Sequence, residues 1–286
     1  MGDSPVPDTG RLSVVATPIG NLEDITLRAL RVLRGCDGVL AEDTRRTRAL
    51  LRAHSIERPV ERLDDHVMRA RAGAVVERLR AGQWLALVSD AGTPMVSDPG
   101  SVLVQAAVAG GVLVEAIPGP SAVLVALVLA GVDPGGFRFV GFLPRGGISR
   151  REALAGIARD VLPTVLYESP ERVGATLSEL ATVCAHDRRA SVSRELTKRH
   201  EETLRGTLTE LAERTVAGLR GEVTVVVEGA TVSVQTDATS ALDAALDAAM
   251  AAGMKPSDAA RDVARALGLT RSEVYARALA RGGRSP

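Results

Sequence analysis

Cysteine, lysine and aromatic residues are all scarce in this chain, and each scarcity closes off a class of protein. Cys36 and Cys184 stand alone, with no CxxC and no partner spacing, so they read as reduced core residues of a cytosolic protein. His54, His66, His186 and His200 share no metal-ligand spacing, and no metal is expected. Aromatics make up only 2% of the residues, which argues against a base-stacking platform of the single-strand-binding kind. Lys198 and Lys255 are the lysines; the other cations are arginines, and the formal net charge is +0. Phosphate neutralisation needs a basic surface, so any contact with RNA has to come from local arginine patches. The longest apolar stretch, Ala122 to Ala130, is far short of a membrane span. The start, Met1-Gly2-Asp3-Ser4-Pro5, has neither a basic nor an apolar signal region, so no membrane and no secretion are expected.

Nucleotide motifs are missing as well. A dinucleotide fingerprint needs the spacing GxGxxG, whereas the first strand ends in Thr17-Pro18-Ile19-Gly20-Asn21-Leu22, with one glycine. Walker, HExxH and GxSxG motifs are absent, and Ser121 fails the nucleophile-elbow spacing.

What is present is an α/β alternation long enough, at 286 residues, for two domains. After a polar, Pro-containing tail over residues 1–10, strands are predicted at 12–16, 38–41, 84–88 and 113–117, with helices at 25–33, 44–54, 69–81, 101–109 and 121–129. This spacing indicates βαβ units and a parallel or mostly parallel sheet. Gly131 to Gly136 is the best linker. A second α/β series has strands at 137–141, 164–167, 190–193 and 223–227, with helices at 151–159 and 171–183. Residues 231–240 read as polar and irregular, and helices follow at 241–253, 257–267 and 272–280.

The most informative segments are the strand ends. Trp84 to Val88 runs into Ser89-Asp90-Ala91-Gly92-Thr93-Pro94, and Leu113 to Ile117 runs into Pro118-Gly119-Pro120-Ser121-Ala122. Ligands of open α/β sheets bind outside the carboxyl ends of the strands, and small-residue turns there bare the backbone to a flat or extended ligand. Such turns also connect ordinary strands to helices, and Ser121 is equally a good helix N-cap. Glu42-Asp43-Thr44-Arg45 likewise reads two ways. It is a capped helix start, or a pair of carboxylates with an anion clamp at the same sheet edge. Arg194-Glu195-Leu196-Thr197-Lys198 is either a solvated loop or a substrate contact.

Taken in order, these segments resemble the tetrapyrrole methylase superfamily, whose members use S-adenosylmethionine. More narrowly they are similar to its bacterial 16S ribosomal RNA (cytidine-2'-O)-methyltransferase branch, from about Leu12 to Tyr275. The branch-specific parts are Thr17 to Leu22, Ala41 to Arg45, Ser89 to Pro94 continuing to Asp98-Pro99-Gly100, Gly141-Phe142-Leu143-Pro144-Arg145, Arg194 to Lys198, and Gly221-Glu222. The resemblance implies an N-terminal α/β domain (11–132), a C-terminal α/β domain (137–232) with the cofactor cleft between them, and a small helical segment (239–286). The cofactor would touch Pro18, Gly20, Asp90, Gly92, Thr93, Ser121, Ala122, Tyr167 and Thr224. Glu42, Asp43, Arg45 and Lys198 are the catalytic candidates, with Glu42 or Asp43 as base. Arg45, Arg145 and Lys198 are candidates for RNA phosphate contacts. The implied partners are 16S ribosomal RNA within the small subunit and a second copy of the chain, in the cytoplasm. His66-Val67-Met68 departs from the family's usual His-Asn-Glu. A corrinoid-precursor methylase and a non-catalytic ribosome-assembly factor are the competing readings. The C-terminal arginines Arg261, Arg265, Arg271, Arg277, Arg281 and Arg284 mark either a helical cap or an RNA-docking module.

Overall fold

A computed structural model describes residues 10–95, 100–132, 135–185, 187–231, 234–267 and 269–282. Asp98, Pro99, His186 and Arg284 lie outside them, as does most of the N-terminal tail. The chain forms two compact units, Met1–Ala230 and Thr231–Pro286.

Short β-branched runs build the first sheet. β1 (Arg11–Val15), β2 (Gly38–Ala41), β3 (Val60–Arg62), β4 (Trp84–Val88) and β5 (Leu113–Ile117) are all parallel, in the order β3-β2-β4-β1-β5. Burial on both faces explains why β2 and β4 read as unbroken apolar runs. Helices α1 (Leu27–Gly35) and α2 (Thr44–Ala53) pack on one face around Leu33 and Leu51. On the other, α3 (Asp65–Arg80) and α4 (Ser101–Ala109) pack around Leu79 and Leu103. Val15 is level with Val88 and Ile117, and Ala41 with Val88, so four strands deliver their turns to one edge. Met68, at the position where the family pattern is polar, is a fully buried part of this core.

α5 (Ala122–Ala130) is apolar all round, and Val123, Ala126 and Leu127 pack with Val165 and Val226 of the second sheet. That sheet holds β6 (Arg138–Phe142), β7 (Thr164–Glu168), β8 (Arg189–Arg194), β9 (Glu202–Thr207) and β10 (Val223–Val227), in the order β6-β7-β10-β8-β9. Its opposite face is covered by α6 (Gly147–Arg159), α7 (Val173–Val183) and α8 (Leu208–Arg214). β10 is buried along its whole length, and each such valine contributes about 1.5–3 kcal/mol.

Three expectations change. The second sheet is mixed: only β6 and β7 are parallel, and β10 runs antiparallel to both neighbours. β3, β9 and α8 appear where no element is predicted. Residues 234–240 are helical, not irregular, because α9 (Val234–Ala251) begins there. The second unit adds α10 (Pro256–Leu267) and α11 (Arg271–Gly282) around Leu246, Ala260 and Val274. No helix of the described residues is long and apolar enough to cross a membrane.

Candidate active site

The parallel-sheet turns are tied to one another through backbone. Thr17 N–H donates to the Gly92 carbonyl at 2.9 Å, and Gly92 N–H returns a bond at 3.0 Å. Gly92 takes φ 76°, which favours glycine. Gly119 lies so close to β1 that a Cβ would come within 2.9 Å of the Ala16 methyl. Thr93 Oγ1 reaches the Pro120 carbonyl at 3.5 Å. Ser121 occupies the N-cap position of α5, yet its hydroxyl makes no cap hydrogen bond. The capping explanation of this serine therefore fails, and its side chain borders a cavity instead.

That cavity, of about 390 Å³, lies where the two sheets' turns converge. Gly92, Thr93, Ser121, Ala122, Tyr167 and Thr224, all expected at a cofactor site, line it. Pro18 and Asp90 line a separate hollow of about 260 Å³, with Arg46 and Thr47. Gly20 lines neither. A Cβ there would come within 2.7 Å of Thr197 Oγ1 and 2.8 Å of the Leu196 carbonyl, so its smallness serves the packing of two loops.

Phe142 and Glu222, which the sequence marks only as parts of motifs, and Glu168 and Ser169, a strand-end pair given no site role there, also line the cavity. A β-bulge at Gly141, with φ 65°, re-aims Phe142 so that its ring sits 5.6 Å from Tyr167. Glu168 is buried at the end of β7; its carboxylate accepts from Thr176 Oγ1 at 2.6 Å and from Ser169 N–H at 2.8 Å. The hydroxyl of Ser169 is buried and has no hydrogen-bond partner among the described residues. A carboxylate ending an apolar strand is the one signal that could have flagged Glu168.

Glu42 and Asp43 follow β2 at the same edge but border none of these hollows. Asp43 caps α2 by accepting from Arg45 N–H at 2.8 Å, and it also accepts from Arg45 Nη2 at 2.8 Å. The Arg45 guanidinium and the cap bond hold the Asp43 carboxyl far below the usual carboxylate range. Asp43 N–H donates to Asp90 Oδ1 at 3.0 Å, which ties the acid pair to the second strand end.

Lys198 is held rather than open. Its Nζ bridges Glu195 Oε1 and Glu222 Oε2, each at 2.9 Å. Burial alone would lower its pKa, but the two carboxylate bonds outweigh burial and raise it. The ammonium in turn lowers Glu195. The loop is built tightly around this knot: Glu195 and Thr197 take φ 52° and 63°, and a Cβ at Gly221 would collide with the Glu195 carboxylate. Arg145, by contrast, is exposed and forms no ion pair among the described residues. In the second unit, Arg277 pairs with Asp243 and Arg261 with Asp258 and Asp262. No His, Cys, Asp or Glu cluster among the described residues is fit to hold a metal.

Two α/β sheets whose small-residue turns converge on one cavity define an α/β protein of the ligand-binding class. The family model for Tetrapyrrole (Corrin/Porphyrin) Methylases matches residues 11–212, and the chain belongs to that family. The model for the RsmI C-terminal HTH domain matches residues 236–282. The "Ribosomal RNA small subunit methyltransferase I" of Xylella fastidiosa is 47% identical over 199 residues, covering 70% of this chain and 73% of its own. Among solved structures, a cobalamin biosynthetic cobalt precorrin-4 methyltransferase superposes with TM-score 0.61 at 20% identity, covering 79% of this chain and 98% of its own. Uroporphyrin-III C-methyltransferase from Thermus thermophilus, complexed with S-adenyl homocysteine, gives TM-score 0.56 at 22% identity, covering 76% and 97%.

Proposed function

We propose that this protein transfers a methyl group from S-adenosylmethionine to the ribose 2'-oxygen of a cytidine in the decoding region of 16S ribosomal RNA, in the small ribosomal subunit. The observation that carries the reading is the cofactor-sized cavity at the convergence of two sheet edges, with the Glu42–Asp43 pair fixed to the same edge through Asp90. Identity of 47% to a ribosomal RNA methyltransferase, against 20% to a precorrin methylase, favours RNA over a corrinoid acceptor.

The residues present fit the cofactor. A cavity of about 390 Å³ falls in the range of small-molecule sites. It offers bare turn backbone at Gly92 and Ala122, aromatic faces at Phe142 and Tyr167, and the orphaned Ser169 hydroxyl as an unused donor. A cavity kept in this form also argues against a non-catalytic assembly factor. When bound, S-adenosylmethionine supplies an electrophilic methyl group on a sulfonium that leaves as a neutral thioether. The chain's own task is alignment, which lowers a barrier by about 7–11 kcal/mol, and removal of the hydroxyl proton. Asp43, held at low pKa by Arg45, serves as fixed charge, and Glu42 takes the proton. Arg145 is the phosphate contact with an open guanidinium, and Lys198, anchored on Glu195, positions Glu222 at the cavity.

The domains are 11–132, 137–232 and 239–286, and the enzyme acts in the cytoplasm as a homodimer. The apolar side chains that α5 leaves exposed, Leu124 at 54% and Val128 at 80%, supply a face for the second copy.

The test is transfer of labelled methyl to small subunits lacking the modification and to deproteinised 16S RNA, with mapping of alkali-resistant sites. Label at one cytidine is expected, with Glu42→Gln losing about 10²–10⁴ in turnover while cofactor affinity is kept. Cofactor binding without label on either substrate would point to a different acceptor, and undiminished turnover in Glu42→Gln would remove it as base.

A further inference from the structure

The outer face of α2 carries an open groove of about 640 Å³ in which the chemistry above uses no side chain but Arg45. Arg45, Arg48 and Arg52 follow at helical spacings of three and four, and the loop after the helix returns Arg58 to the same groove. Between Thr44 and Arg58 the sequence has five arginines and a single acid, Glu57, in a chain of formal net charge +0. The local excess is therefore a property of this surface and not of the molecule.

Arg45 is paired with Asp43, but the other three charges of the groove are oriented without being cancelled. Among the described residues Arg48, Arg52 and Arg58 form no ion pair. Arg48 donates to the Val60 carbonyl at 3.3 Å, Arg52 to the Arg48 carbonyl at 3.3 Å, and Arg58 through Nε to the Arg34 carbonyl at 3.0 Å. A carbonyl fixes a guanidinium but carries no net charge to neutralise it. Each retains donors for a phosphate oxygen, where charge-assisted bonds are strongest. The groove begins one turn from Asp43, at the edge where methyl transfer is placed.

We propose that this arginine groove binds the sugar–phosphate backbone of the RNA strand flanking the methylated nucleotide. The inference rests on the RNA reading above. Arg48 to Arg52 spans four residues, about 6 Å along the helix axis, room for about two successive phosphates at about 3.4 Å or more each. Arg58 widens the track across the groove.

The experiment compares the wild-type protein with Arg48→Gln/Arg52→Gln/Arg58→Gln and with Arg159→Gln/Arg214→Gln, which removes two exposed charges elsewhere. Binding of deproteinised 16S RNA is followed against potassium chloride, alongside methyl transfer. Loss of three phosphate contacts flattens the plot of log affinity against log salt by about 2, since each single-strand contact contributes about 0.7, and lowers affinity about a hundredfold at 0.1 M salt. KM for RNA rises with it, while turnover at saturating RNA and affinity for S-adenosylmethionine stay at wild-type values. The control variant keeps the wild-type slope. An unchanged slope and KM in the triple variant, with the wild type methylating normally, overturns the groove and spares the enzymatic reading. RNA binding by the wild type with no methyl transfer to either small subunits or deproteinised RNA overturns the enzymatic reading, and the slope still decides the groove. No RNA binding by the wild type overturns both.

Discussion

The cavity has one wall of bare backbone and one of anchored charge, and the two are maintained by different means. On the parallel-sheet side, Gly92, Thr93, Ser121 and Ala122 present small side chains and main-chain groups, fixed from behind by the Thr17–Gly92 bridge and the contact of Gly119 with Ala16. On the mixed-sheet side, Glu168 and Glu222 are locked into hydrogen-bonded networks running back into α7 and, through Lys198, into the Glu195 loop. A backbone wall tolerates no added volume, and a charged wall tolerates no lost partner. The two walls should therefore fail differently when mutated.

The largest effect is expected on the charged wall. Glu168→Ala removes a carboxylate whose side chain is 1% exposed and which serves Thr176, the Ser169 amide and Arg172. Removing one partner of a buried charged network typically costs about 3–5 kcal/mol. Urea unfolding should show a lowered midpoint with little change in slope. A loss below about 1 kcal/mol would mean that water replaces the carboxylate and that this wall is not held by charge.

Gly20→Ala probes the seam between the walls. The new methyl group would come within 2.8 Å of the Leu196 carbonyl, which is backbone and cannot swing aside. Overpacking of this kind costs about 1–3 kcal/mol and would displace the Glu195–Lys198 loop. Thermal unfolding and S-adenosylmethionine titration should both register it. Wild-type values in both would show that the loop shifts freely and that Gly20 is not a packing requirement.

How far the sequence discloses these walls depends on the kind of information each needs. β2, β4 and β10 are legible to the residue because a buried strand reads as one apolar run, and β5, although an edge strand, because Gly111 and Pro118 bound it closely. β3 and β9 are not, and both are edge strands: Val60–Arg62 and Glu202–Thr207 have one neighbour each, so their solvent-facing side chains break the apolar pattern. Strand direction in the second sheet is set by connections of varied length and leaves no mark on the strands themselves. The backbone wall was readable because small residues cluster locally around Asp90 and Ser121. The charged wall was not, because Lys198 meets Glu222 from 24 positions away across β10's turn. From the sequence alone Lys198 is a free cation at a strand end; its partners appear only once the chain is folded.

That difference yields the smallest and most discriminating effect. Lys198→Met should leave the salt slope of RNA binding where the wild type has it, to within the contribution of about 0.7 expected of one lost phosphate contact. The change should appear in the pH dependence of stability. Glu195 has a lowered pKa in the folded chain, so its contribution is present above the unfolded value of about 4.3 and is lost as pH falls below it. Lys198 has a raised pKa, so its contribution is present below the unfolded value of about 10.4 and is lost as pH rises through the folded one. The wild type should thus hold a plateau between about pH 5 and 10, bounded by two limbs that Lys198→Met flattens. With Lys198 29% and Glu195 21% exposed, the limbs amount to about 0.2–1 kcal/mol, which denaturant midpoints at pH 4, 7 and 10.5 can resolve. A flatter salt slope with unchanged limbs would reverse the assignment and return Lys198 to the RNA.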